Sequence, residues 1–244
     1  MNKKTRFNLL LVMLLFTALL FFSCRTVFKE PAEEELASSI DEPVDSVELP
    51  LPEEVESLSL EEAFQQRRSD RDFSDQALTL EQVGRLLLAA QGHGSDVISG
   101  ATRPVASAGA TYPIEIYIVA GKVDGLSAGV YQYNLSEEKL VLAAEGDFRE
   151  NLARAAYRQN FVASAPATII VTAEYQRTTQ RYGERGKRFV YMESGSAAQH
   201  IALQATALDL GNVIVGAFKD DKVQELLQIN EAPMLLIPVG HRAE

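Results

Sequence analysis

Residues 187–208 constrain the fold of this chain more than any other stretch. The run is mostly apolar or small, with Gly195, Ser196, Ala197, Ala198, Ala202, Ala205 and Ala207 among its members. A helix on the surface of a globular domain carries one apolar stripe. A helix that is apolar on more than one face has to be enclosed, either by the rest of the molecule or by a second copy of it. The remaining elements must therefore pack around a long central helix, or that helix must form a subunit interface.

The rest of the pattern supplies those elements. Ser59 with Glu62 and Thr79 with Gln82 each fit a capping box, so each opens a helix. The first carries Leu60, Ala63 and Phe64 inward and delivers Arg67 at its end. The second carries Val83, Leu86, Leu87 and Ala90 at helical spacing and closes at Gly92-His93-Gly94. Residues 147–159 and 220–227 read as further helices. Residues 114–120, 129–133, 139–143, 167–172, 213–218 and 233–239 read as strands. The sum is one α+β domain, with a mixed central sheet flanked by helices and built around the long helix.

That domain occupies residues 58–244. Residues 1–23 have the form of a secretory signal: Lys3, Lys4 and Arg6, then an apolar run too short to span a bilayer, then a small residue. Cys24 follows and resembles the lipidated cysteine of a bacterial lipobox, with Phe21 where Leu is usual. The chain is thus expected to be exported and anchored to a bacterial membrane through Cys24. Cys24 is the only cysteine, so the mature domain has neither an internal disulfide nor a thiol nucleophile. Residues 24–57 read as an acidic, proline-containing tether; residues 25–62 hold thirteen acidic side chains against two basic ones. The formal charge of −11 is mostly tether, because residues 63–244 carry 18 basic and 21 acidic side chains. That balance excludes the basic surface a nucleic-acid-binding domain needs. His93, His200 and His241 are scattered and not at metal-ligand spacing, so no metal site is expected.

Three segments carry the chemistry. Arg67-Arg68-Ser69-Asp70-Arg71 places three guanidiniums and a hydroxyl within five residues, and Arg forks match the oxygens of a phosphate. Ala106-Ser107-Ala108-Gly109-Ala110-Thr111-Tyr112-Pro113 is a small-residue loop running into a strand. Leu210-Gly211-Asn212-Val213-Ile214-Val215-Gly216-Ala217-Phe218 places a glycine beyond an apolar run. In this order and spacing the three resemble the FMN-binding segments of the nitroreductase family, most closely its SagB/ThcOx-type branch. The resemblance covers residues 58–240.

The resemblance implies a homodimer with a flavin at each subunit interface. Arg67, Arg68, Ser69 and Arg71 would hold the phosphate and part of the ring. Ser107, Ala108 and Gly109 would pass along the isoalloxazine and ribityl chain. Val215, Gly216 and Ala217 would bring backbone N–H groups beside the reactive nitrogen, and Arg242 is the candidate for a late basic phosphate ligand. The implied activity is that of an FMN-dependent oxidoreductase. Hydride would pass through flavin N5, from an NAD(P)H donor bound transiently to a small acceptor such as a nitroaromatic or quinone. Gly216, Ala217 and Tyr182 are the residues expected nearest the chemistry.

Two departures leave alternatives. Azole-forming relatives carry a Lys-Tyr pair where this chain has Arg181-Tyr182, and Arg is a poor proton shuttle. That substitution and export both weigh against an azoline-type peptide dehydrogenase. Asp96-Val97-Ile98-Ser99-Gly100-Ala101-Thr102 resembles the acceptor motif of a bacterial flavin transferase, which links FMN through its phosphate to the final Thr. An exported electron-relay protein with FMN covalently attached at Thr102 is the second alternative. A cofactor-free binding module is the third, and the retained Arg67, Ser69, Arg71 and Gly216 speak against it.

Overall fold

In the computed structural model, residues 46–50, 58–92 and 103–243 are described. The central sheet has seven strands: β1 (Ser46–Glu48), β3 (Ile114–Ala120), β5 (Gly129–Asn134), β6 (Lys139–Glu145), β7 (Ala167–Ala173), β8 (Leu210–Asn212) and β9 (Ala232–His241), in the order β1-β6-β5-β3-β7-β9-β8. Every pairing within it is antiparallel. The mixed sheet expected from the sequence is corrected on this point. Parallel pairing is confined to the two-residue strands β2 (Leu78–Thr79) and β4 (Val123–Asp124).

Among the described residues, seven α-helices surround the sheet. α1 (Leu60–Gln66) and α2 (Leu80–Gln91) open on the two capping boxes expected, at Ser59/Glu62 and Thr79/Gln82. α3 (Arg149–Ala155) falls within the helix expected over 147–159 but ends earlier, and a separate α4 (Asn160–Ser164) follows it. α5 (Tyr175–Tyr182) precedes the long α6 (Arg185–Ala207), and α7 is Asp220–Leu227.

The sheet separates two cores. On one face, Leu86, Leu87 and Ala90 of α2 and Ala198, Ile201 and Ala205 of α6 meet Ile116 and Ile118 of β3 and Ile169 of β7. On the other, Leu152 of α3, Val162 of α4 and Val223 and Leu227 of α7 meet Val119, Ile170 and Leu236. Both faces of β3 and β7 are buried, which is why these strands read as unbroken apolar runs.

Three local readings are corrected. Residues 213–218 form an irregular edge segment, which bridges the sheet only at Val215–Leu236. Residues 147–159 break at Tyr157 and Arg158, both left-handed at φ 55° and 60°. The acidic segment assigned to the tether contributes β1, which pairs with β6 from Ser46–Val141 to Glu48–Lys139. Val47, the one partly buried residue of β1, packs against the α2/α6 core. Among the described residues, no helix is long and apolar enough to cross a membrane. Residues 1–24 lie outside the described residues.

Candidate active site

The arginine cluster sits where α1 ends. Arg67 is the C-cap, and its N–H donates to the Ala63 carbonyl at 2.9 Å. The chain then turns toward the far edge of the sheet, where Asp70 N–H donates to the Asn212 carbonyl at 2.8 Å. Phe73 bridges to Arg242 and seals this junction. Residues 67–73 are thereby pinned against β8 and the end of β9, 140 or more positions away in sequence.

Asp70 organises the cations. One carboxylate oxygen accepts from Arg68 Nε at 2.7 Å and the other from Arg242 Nε at 3.0 Å. Arg242 also pairs with Asp209 and donates to the Leu210 carbonyl at 3.1 Å. Gly211 permits this packing. A Cβ there would lie 3.1 Å from Asp70 Cβ and 3.2 Å from Arg242 Cγ. The result is a cavity of about 310 Å³ lined by Gln65, Gln66, Arg67, Arg68 and Arg242. Arg67 has no acidic partner among the described residues, so its guanidinium carries an uncompensated charge into this cavity. Ser69 is exposed beside it. Arg71 stands apart, its guanidinium 5.7 Å from the Phe161 ring. The cluster therefore divides: Arg67, Arg68 and Arg242 converge, and Arg71 does not line this cavity.

The second segment is a tight loop. Ser107 precedes a single 3₁₀ turn, Ala108–Ala110. Three residues are left-handed: Gly109 at φ 61°, Ala110 at 53° and Tyr112 at 43°. Such strain persists only where surrounding contacts over-determine the backbone, and they do so here. Arg181 Nη1 donates to the Gly109 carbonyl at 3.0 Å and Arg177 Nη1 to the Tyr112 carbonyl at 3.0 Å. The Thr111 and Thr178 hydroxyls share a hydrogen bond at 2.8 Å. A Cβ at Gly109 would collide with Tyr182 Oη and lie 2.8 Å from Arg181 Nη1. Arg181 and Tyr182 are thus brought onto this loop, and Arg181 acts as a clamp on the backbone.

A buried carboxyl supports the loop from below. Glu193 of α6 is only 6% exposed and bonds the Ser107 hydroxyl, which itself accepts from Tyr112 N–H at 2.9 Å. Burial pushes the Glu193 carboxyl above the usual carboxylate range, opposed by the Ser107 hydrogen bond and the Arg103 charge. Because the folded value is raised, the native state holds this proton where the unfolded chain has released it. Stability is therefore lost as pH rises from the ordinary glutamate range through the folded value. Glu193→Gln removes that slope. Urea melts from pH 4.5 upward are expected to show the wild type losing ground to the variant as pH rises; parallel curves would contradict this.

The third segment leaves two donors free. Val215 exchanges both backbone hydrogen bonds with Leu236, at 2.8 and 2.9 Å. The chain then leaves the sheet, and the N–H groups of Gly216 and Ala217 have no acceptor among the described residues. Both residues are exposed. A Cβ on Gly216 would meet only Leu235, at 3.8 Å, so nothing within the described chain requires glycine there. Thr102 and the rest of residues 96–102 lie outside the described residues, as does His93.

Residues 64–241 match the profile of the Nitroreductase family. The chain belongs to that family. It is also 42% identical over 200 residues to a Methanocaldococcus jannaschii protein named as a nitroreductase, covering 82% of this chain and 99% of the relative. A nitroreductase-type structure from Ralstonia eutropha superposes with a TM-score of 0.70 at 26% identity, covering 82% of this chain and 90% of the other. The NADPH:FMN oxidoreductase of Vibrio harveyi, solved with NAD⁺, shares the fold at a TM-score of 0.54 and 22% identity, covering 76% and 69% of the two chains. As a nitroreductase-family chain this protein is an oxidoreductase of the flavin type. The three segments supply the chemistry a flavin mononucleotide needs: cations for its phosphate, small residues on a clamped loop, and free N–H groups on the Gly216–Ala217 turn.

Residues that sequence reasoning missed are those that hold the site. Asp70 was read only as part of a charged cluster. Asp209, Gly211 and Glu193 carried no motif, since their roles come from contacts across the fold.

Proposed function

We propose that this nitroreductase-family protein holds FMN and transfers hydride from NADH or NADPH to a small acceptor such as a quinone or nitroaromatic. The observation that carries the reading is the cavity lined by Arg67, Arg68 and Arg242, in which Arg67 stands without a counter-charge. A phosphate dianion supplies that charge. Arg67 and Arg242 would grip it, with Gln65 and Gln66 as neutral donors. Ser107, Ala108 and Gly109 would lie along the ring, held by Arg181, Arg177 and Glu193. The free N–H groups of Gly216 and Ala217 would donate to the ring's reactive edge. FMN, when bound, would supply the hydride-transfer chemistry. The protein's own part is to bind, orient and exclude water, so no nucleophile is needed.

We further propose a homodimer. α6 leaves Tyr191 and Met192 57% and 60% exposed, and α1 leaves Leu60 and Phe64 exposed as well. A groove of about 370 Å³ runs between α1, α2 and α6, lined by Leu60, Ala63, Ala89 and Leu203 together with the polar His200 and Gln204. A second copy would cover this surface. Light scattering is expected to give twice the chain mass, and Met192→Asp to give a monomer with weaker FMN binding.

The test of the central reading is reconstitution with FMN, followed by anaerobic titration with NADH and NADPH. Bleaching of the protein-bound flavin is expected with at least one donor. Export and lipidation at Cys24 rest on residues 1–24 alone. Fatty-acid labelling lost in Cys24→Ala would support them. Attachment of the flavin phosphate to Thr102 rests on the 96–102 motif, and yellow colour that survives acid precipitation of the chain would support it.

A further inference from the structure

The chain breaks sharply between α3 and α4. Tyr157 and Arg158 are consecutive, non-glycine and both left-handed. L-residues other than Asn and Asp rarely adopt this conformation, so the pair carries a strain cost. A continuous helix over 147–159 would avoid that cost, and its sequence periodicity permits one. What the strain secures is the direction of the next side chain. Gln159 Nε2 donates to the Ala156 carbonyl at 2.9 Å and to the Ala217 carbonyl at 2.9 Å. Both amide hydrogens are used, and they join points 58 residues apart in sequence. Two neighbouring contacts reinforce the junction. Lys219 N–H donates to the Ala155 carbonyl at 2.9 Å, and the Phe161 ring lies under Arg71.

We propose that Gln159 is a positioning residue, which fixes the Ala217 carbonyl so that the free N–H groups of Gly216 and Ala217 keep one direction. Val215 and Phe218 anchor the two ends of the turn in the core, but the backbone between them has few other ties. Beyond Val215 it makes no sheet pairing until Lys219 N–H reaches Ala155. Without the amide, the Ala217 peptide is free to rotate and its neighbours' donors scatter. An amide is required for this task. A carboxylate of the same shape presents two acceptors to two carbonyls and repels both. The inference rests on the FMN reading for the identity of what the donors face, but the fixing of the turn itself does not.

The test compares the wild-type chain with Gln159→Glu and Gln159→Leu, with and without FMN. In the FMN-free proteins, the NMR order parameters of the Gly216 and Ala217 amides are expected to fall in both variants; unchanged order parameters overturn the proposal. In the FMN-loaded proteins, sulfite serves as a probe of N5, because it adds there and responds to donors nearby. Sulfite affinity is expected to fall about tenfold, the worth of one hydrogen bond of this kind. The FMN dissociation constant is expected to move less than about threefold over the same change. Equal sulfite affinity in all three proteins overturns the proposal. Failure of the wild type to take FMN defeats the flavin reading alone, since the order parameters of the FMN-free proteins still decide whether Gln159 holds the turn.

Discussion

Arg67→Glu is expected to abolish flavin binding at micromolar concentrations. Of the three guanidiniums lining the cavity, Arg68 is exposed and held by Asp70, and Arg242 is held by Asp70, Asp209 and the Leu210 carbonyl. Arg67 alone has its charge free. A charge-assisted hydrogen bond contributes about 1.5–3 kcal/mol, so Arg67→Ala should weaken FMN by roughly 10- to 150-fold. Reversal to Glu adds repulsion of the dianion and exceeds that. Arg68→Ala should cost less than about tenfold, because that side chain is already paired and solvated. Since Arg67 has no acidic partner to lose among the described residues, the thermal melt of the FMN-free protein should not move. Fluorescence titration with FMN measures the first effect and calorimetry the second. Equal affinities for wild type and Arg67→Glu would remove the cavity from the account.

Gly109→Val is expected to cost about 2–3 kcal/mol of stability, and flavin binding with it. Two causes act together. The position sits at φ 61°, where a β-branched residue is strained by roughly 1–2 kcal/mol. The added Cβ would also collide with Tyr182 Oη and press on Arg181 Nη1 and Cζ at 2.8 and 2.9 Å. These atoms are the far ends of flexible side chains and can swing aside, but doing so breaks the Arg181–Gly109 hydrogen bond, worth about 1 kcal/mol. Gly125→Val separates the two, since Gly125 is left-handed at φ 79° with nothing within 4 Å of a Cβ. Urea melts should place the Gly109 variant well below the Gly125 variant. FMN affinity should fall in the first and hold in the second. Equal melts would mean that the loop is not clamped by Arg181 and Tyr182.

What the sequence made legible was whatever depends on neighbours in the chain. The two capping boxes needed only Ser59, Glu62, Thr79 and Gln82, and the structure forms both. The strand over 114–120 and the helix over 220–227 have the bounds expected, because apolar runs and acidic first turns are local signals. The long helix is where its small residues demanded it. What failed depended on distant contacts. Residues 213–218 are as apolar as any strand, yet β8 ends at Asn212 and the chain peels away once Gln159 and Ala155 take hold of it. α5 has only one buried residue, Thr178, so no apolar stripe announces it. The sheet is antiparallel throughout because its connections double back, which periodicity does not encode.

The site divides in the same way. Arg67, Arg68 and Arg242 were named from their residue types, and the structure gathers them around one cavity. Ser107 and Gly109 were named from a small-residue loop, and the structure adds that the Ser107 hydroxyl is turned inward to Glu193 and Tyr112. Asp70 was visible between Ser69 and Arg71, but its task as the clamp between Arg68 and Arg242 depends on a residue 172 positions away. Gln159 gave no local signal at all.

The central claim is that this fold presents a cationic cradle and a turn of free amides to one flavin. An absorption spectrum of the purified chain mixed with FMN, taken after removal of unbound ligand, tests it most directly. The account predicts a resolved flavin band that stays with the protein at about one FMN per chain and is absent from Arg67→Glu. A colourless wild-type protein at saturating FMN would contradict it.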